Sequence, residues 1–241
     1  MRNIALAEYI KKIIEEFIKG LQNFYGNNLV SVILYGSAAS GEYAGKRSNV
    51  NIAVILNDTS LSSLAKCSRL LNKRKFLIIS PVFFTEDYIK HSTDVFPIEF
   101  IDMKENHVLL YGKDILNEIT IGIKNLRFQC EQELKSKILN IKKLYIRIRN
   151  KFILKNILFK SFTSSLHILR NLVRLKGREP SYRKEEVIDE ISKEFAVDLS
   201  CLRKILDAKN KNTRLRYKDI DELFACLVET LENISDKVEH L

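Results

Sequence analysis

The sequence predicts an α+β chain, with a mixed sheet and flanking helices first and an all-helical bundle after it. Three observations carry this expectation. Runs rich in Val, Ile and Leu, of strand length, recur through the first 120 residues. After about residue 120 the apolar spacing becomes helical and stays so to the end. The chain has 241 residues, 46% hydrophobic and 29% charged, enough for two folded domains, expected at 1–120 and 121–241.

In the first part, Ile4, Ala7, Ile10, Ile14, Phe17, Leu21 and Phe24 share one side of a helix over 4–25, and Gly26-Asn27-Asn28 breaks it. Residues 29–35 and 50–56 read as buried strands. Between them, Ser37 to Tyr43 fits a short helix starting directly after Gly36. Thr59 or Ser60 can cap a helix over 61–73. Phe76 to Ser80 reads as a third strand ended by Pro81, and Thr85 to His91 as a short helix. Phe96 to Met103 reads as a fourth strand, with Pro97 at its start, where a missing N–H is tolerable. His107 to Tyr111 adds a short strand before Gly112.

In the second part, Leu126, Ile138, Ile141, Tyr145, Ile148, Phe152 and Ile157 keep helical spacing, continued from Ser161 to Leu175. Gly177 and Pro180 stop it, and Ser181 can cap a helix through Phe195. Further helices fit 199–208 and 218–236, and Tyr145, Phe152, Phe159 and Phe162 suit core positions.

Composition narrows the function classes. No apolar run reaches the length of a membrane span, and the N-terminal residues lack the apolar block of a signal peptide, so a cytoplasmic protein is expected. Cys67, Cys130, Cys201 and Cys226 lie far apart, which predicts buried thiols rather than a disulfide framework or zinc site. The histidines at 91, 107, 167 and 240 form no ligand pair. The net charge of +10 favours anionic partners. In the helical half, Lys135, Lys137, Lys142, Lys143, Arg147, Arg149, Lys151, Lys155 and Lys160 read first as a wet bundle face. Their second reading is a basic wall for polyphosphate or nucleic acid.

The chemistry-bearing stretch is Leu29 to Ile55. An apolar run leads into Gly36-Ser37, and a second carries Asn49 and Asn51 two residues apart, hence on one strand face. Glycine lets backbone approach phosphate oxygens, and Ser37 adds a hydroxyl donor. Glu99 lies within Pro97-Ile98-Glu99-Phe100-Ile101-Asp102, on the strand face of Pro97 and Ile101, with Asp102 on the other face. Lys46 and Arg47, just before Asn49, read first as solvated loop charges and second as phosphate contacts.

This order resembles the DNA polymerase β-like nucleotidyltransferase superfamily at Leu34 to Ser37, Ser48 to Val54 and Pro97 to Asp102. The segment Met103 to Asp114 also looks like small bacterial and archaeal members that pair a minimal nucleotidyltransferase domain with a helical domain, as kanamycin-type enzymes do. The resemblance implies a nucleotidyltransferase-type mixed sheet. It implies transfer of a nucleoside monophosphate from a nucleoside triphosphate to a hydroxyl acceptor, using Mg²⁺. Gly36 and Ser37 would hold phosphate. Asn49 and Asn51, where the family has an Asp-x-Asp pair, and Glu99, the third carboxylate, would be the catalytic and metal positions.

The departure decides the expected chemistry. Each Asn removes one negative charge, and losing two costs metal binding on the order of several kcal/mol. A fold that keeps its phosphate cradle and has lost most or all transfer activity follows, whether a natural pseudoenzyme or a deliberately inactivated enzyme. A dead nucleotide-binding or regulatory module acting through a partner protein is the second reading, and a basic nucleic-acid-binding protein the third. A homo-oligomer is compatible with each.

Overall fold

The structure is a computed structural model that describes residues 6–41, 43, 49–181 and 183–241. Ile4 of the first expected helix, Lys46, Arg47 and Ser48 lie outside these described residues. By backbone contacts the chain divides into two compact units, Met1–Gly122 and Ile123–Leu241.

Unit one is built on four strands, β1 (Leu29–Tyr35), β2 (Val50–Leu56), β3 (Ile79–Phe84) and β4 (His107–Gly112). Their order is β3-β2-β1-β4. β1 pairs antiparallel with both β2 and β4, and β2 pairs parallel with β3, so the sheet is mixed. Both faces are covered, which explains why β1 and β2 read as near-continuous apolar runs. Val32, Leu34, Ile52, Val54 and Leu56 pack with Ile10, Ile14, Phe17 and Leu21 of α1 (Glu8–Tyr25) and Cys67 and Leu70 of α3 (Leu61–Leu71). α2 (Ser37–Ser40) is a single turn between β1 and β2. The opposite face, with Ile33, Ala53 and Ile55, packs on Ile89 of α4 (Glu86–Ser92), Phe100 and Met103 of α5 (Pro97–Glu105), and Ile115 and Leu116 of α6 (Ile115–Glu118). Local caps fix two starts: Ser60 Oγ accepts from the Ser63 N–H, and Thr85 Oγ1 from the Tyr88 N–H.

Two strand expectations are corrected. Phe96 to Met103 is not a strand: it forms α5, with Pro97 at its first turn, where proline's fixed φ is an advantage. Burial of Pro97, Ile98, Phe100 and Met103 follows helical rather than alternating spacing. β4 is instead the His107 segment. The third strand runs through Pro81 rather than ending at it, with Pro81 opposite Ile52. It lies at a sheet edge, where one side needs no donor.

Unit two is helical: α7 (Ile123–Arg147), α8 (Lys151–Leu175), α9 (Lys184–Phe195), α10 (Ser200–Asn210) and α11 (Tyr217–Glu239). The helical spacing expected through Phe152 and Ile157 is interrupted at Ile148–Asn150. Asn150 Oδ1 accepts from the Phe152 and Ile153 N–H groups at 3.0 and 3.2 Å, capping a new helix. This break turns Phe152 outward, 77% exposed, while Phe162 is fully buried. Ser181 does not cap α9 directly; its Oγ accepts from the N–H of Arg183, the residue just before α9 begins. No helix among the described residues is long and apolar enough to cross a membrane.

The cysteine expectation is also corrected. Cys201 of α10 and Cys226 of α11 form a disulfide, with Cα atoms 6.0 Å apart. The pairing arises because the two helices fold back on each other, a proximity that a separation of 25 residues does not reveal. Cys67 and Cys130 are free and buried. Alkylation of the denatured, unreduced chain is expected to block only these two thiols. Reduction is expected to lower the stability of the helical unit by about 3 kcal/mol, read from denaturant melts with and without reductant.

Burial raises the Cys67 thiol to about 11 and the Cys130 thiol to about 12. It likewise raises the Tyr25 phenol to about 12. Each folded-state value lies above its unfolded value, so the folded chain keeps protons that the unfolded chain releases. Stability is therefore expected to hold below about pH 9 and to fall as pH rises towards 11–12. Urea midpoints across that alkaline range check it.

Candidate functional site

β1 ends at Tyr35, and the chain turns into α2 through Gly36 at φ 70 and ψ −150. A side chain is strained in that conformation. A Cβ at Gly36 would also lie 3.2 Å from Asn51 Nδ2, so the glycine hydrogen is what lets the Asn51 carboxamide close against the turn. The Gly36 N–H donates to the Asn106 carbonyl at 3.1 Å. The Gly36 carbonyl accepts from the Ala39 and Ser40 N–H groups at 2.9 and 3.0 Å, which starts α2. Glycine's contribution is therefore close approach, since its own N–H already has a backbone partner.

The strand register extends the site sideways. Asn51 faces Tyr35 on β1 and Ser80 on β3, and Tyr35 faces His107 on β4. Paired residues share a sheet face, so Ser80, Asn51, Tyr35 and His107 form one polar row across all four strands. The same face continues inward as Val82, Ala53, Ile33 and Leu109, which are apolar. His107 is held at both ring nitrogens: Nδ1 lies 2.7 Å from the Lys104 carbonyl and Nε2 2.9 Å from Asp114 Oδ1. Burial pushes the Tyr35 phenol above its ordinary value, so at neutral pH it stays a neutral hydroxyl.

The sequence-derived positions fall out unevenly. Asn51 comes close to Gly36, its Nδ2 3.2 Å from where a Cβ would stand, and Ser37 follows as the first residue of α2, half-buried. Asn49 is exposed, immediately before β2. Glu99 is not on the sheet: it is exposed in the first turn of α5, and its strand-face argument fails with the strand. The neighbouring-strand position beside Asn51 belongs to Ser80. Tyr35, Ser80 and His107 escaped sequence reasoning. A polar residue one step before Pro81 and a tyrosine closing an apolar run were the available signals.

The donor set does not fit Mg²⁺. A hard divalent cation wants anionic oxygens, and this row offers an amide, a serine hydroxyl, a neutral phenol and an imidazole. Among the described residues, no three His, Cys, Asp or Glu side chains are grouped to hold a metal ion. The row can donate and accept hydrogen bonds towards phosphate or sugar oxygens without adding negative charge to them.

Replacing Gly36 by Ala is expected to cost about 1–2 kcal/mol from its positive φ, plus the contact with Asn51. Combined with Asn51→Ala, the steric share is relieved, so the two changes couple by about 0.5 kcal/mol or more in a urea double-mutant cycle. Additive effects would refute the contact.

No family model matches the chain, and no curated protein does. Among solved structures, the chain is similar to spectinomycin adenyltransferase from Enterococcus faecialis, solved with ATP and spectinomycin. The likeness has a TM-score of 0.56 at 13% identity and covers 92% of this chain and 99% of that one. With its four-stranded mixed sheet, flanking helices and helical C-terminal part, the chain has a nucleotidyltransferase-like α+β fold.

Proposed function

We propose that the protein is a nucleotide-binding member of the nucleotidyltransferase class in which metal-dependent transfer is lost or strongly impaired. The observation carrying this reading is the contact of Gly36 with Asn51, extended through Tyr35 and Ser80 into a row without carboxylates. The turn at Gly36-Ser37 would take the phosphates of a nucleoside triphosphate, with Asn49 and Asn51 as amide partners rather than metal ligands. The ATP found with the structural neighbour supports a purine nucleotide as the first ligand to try.

In an active transferase of this class, Mg²⁺ would offset the charge on the transferring phosphoryl group and leaving group. Here the residues do not suit it, so the chain's own contribution is limited to binding and orientation. The Asn49 and Asn51 amides can donate to phosphate oxygens, which carboxylates cannot do without a bridging cation. Such a site favours retention of the nucleotide over its turnover. Glu99, exposed on α5, is not assigned a catalytic role.

Calorimetry with ATP tests the reading. Binding is expected without Mg²⁺ and to change less than about threefold when Mg²⁺ is added. A large Mg²⁺-dependent gain, with nucleoside monophosphate appearing on an acceptor, would overturn it. The variant carrying Asn49→Asp and Asn51→Asp is expected to bind ATP·Mg²⁺ more tightly yet to transfer poorly. Adding Ser80→Asp is expected to raise transfer further, because position 80 is the neighbouring-strand partner of 51.

A further inference from the structure

The helical unit contains a cavity of 790 Å³ between α7, α8 and α10 that the reading above does not use. Its size suits a small organic ligand. Lys137, Lys160 and Lys209 converge on it, with His167 at its edge and Phe159 and Ile168 as apolar wall. Glu133 is its one carboxylate, and it accepts from Gln129 Nε2 at 3.3 Å.

Two of the lysines are held by neutral groups. Lys137 Nζ donates to Ser164 Oγ at 2.9 Å, and Lys209 Nζ donates to Thr163 Oγ1. Those hydroxyls in turn donate to the Ser161 and Phe159 carbonyls at 3.0 and 2.8 Å. Each of these ammonium groups therefore keeps protons to offer while its position is fixed. None of the three lysines is in an ion pair among the described residues. Elsewhere in the unit the pattern differs: Lys135 pairs with Glu131 and Glu239, and Lys142 with Glu232. Burial, and then the charge of Lys184, push the Lys209 ammonium below its ordinary value. An incoming anion would reverse that cost.

We infer that this cavity binds a small phosphate-bearing ligand with a planar apolar part. Two or more ammonium groups suit the charge of a phosphate, and Phe159 and Ile168 suit the apolar portion. The lysines gather at one pocket rather than along a track, which favours a small molecule over a nucleic-acid backbone. The inference uses no residue of unit one, so it stands or falls separately from the nucleotide reading.

The test is calorimetry on the full chain at low salt with phenyl phosphate and with inorganic phosphate. Phenyl phosphate is expected to bind, and more tightly than inorganic phosphate. The variant Lys160→Gln with Lys209→Gln is expected to weaken it about tenfold or more. Lys160→Gln alone changes an exposed residue, so it separates a binding defect from a folding defect, and some weakening is expected there too. Lys135→Gln, which removes an ammonium paired with Glu131 and Glu239 and outside the cavity lining, is expected to leave binding unchanged. Equal affinity in the Lys160 and Lys209 variants, or an equal loss in Lys135→Gln, overturns the site. So does failure of phenyl phosphate to bind while a single-stranded oligoribonucleotide binds through the same lysines with steep salt dependence.

Discussion

The whole of the candidate site depends on one hydrogen atom's worth of space at Gly36. Because no Cβ stands there, the end of β1 can turn at positive φ while the amide of Asn51 comes up against it. The register of β1 with β2 and β4, and of β2 with β3, places Ser80 and His107 in the same row. A methyl group at this point would push back on Asn51, which stands between Tyr35 and Ser80 in the row. The apolar layers on either side of the sheet hold the strands behind it, and His107 is fixed in addition by its bonds to the Lys104 carbonyl and Asp114.

The chemistry follows from which polar groups these are. Amide, hydroxyl and phenol can bind oxygen-rich ligands, but they do not gather the negative charge that two divalent ions require. The shortage of negative charge at the row is thus broader than the two asparagines. The neighbouring strand contributes serine, and the acid from the Phe96–Met103 segment is carried away on a helix. The helical unit shows the opposite electrostatics, a cavity where cations outnumber the single carboxylate.

Much of the sheet was legible from the sequence, because β1 and β2 are buried on both faces and their apolar runs leave little choice. Alternation along a strand is strict, which made the face of Asn51 legible, whereas Asn49 falls exposed just before β2 begins. Ser80 was not legible, since β3 is an edge strand with a proline inside it, and pairing partners are set by tertiary register. The Phe96–Met103 segment misled because its apolar residues fit a two-residue period over a short span. Packing of Phe100 and Met103 in one cluster with Ile33 and Ile55, together with Pro97 in the first turn, selects the helix. In the helical half, the stop at Asn150 was masked by apolar residues on both sides of it. The join between Cys201 and Cys226 depends on how α10 and α11 fold back, which spacing alone does not encode.

Pro81 has a further consequence. It stands in the middle of an outermost strand, so a foreign strand arriving there would find one rung of the ladder without a donor. Growth of the sheet by stacking of identical copies along β3 is thereby discouraged, and the protein guards its flank against fibril-like self-association with a residue that its own sheet does not miss.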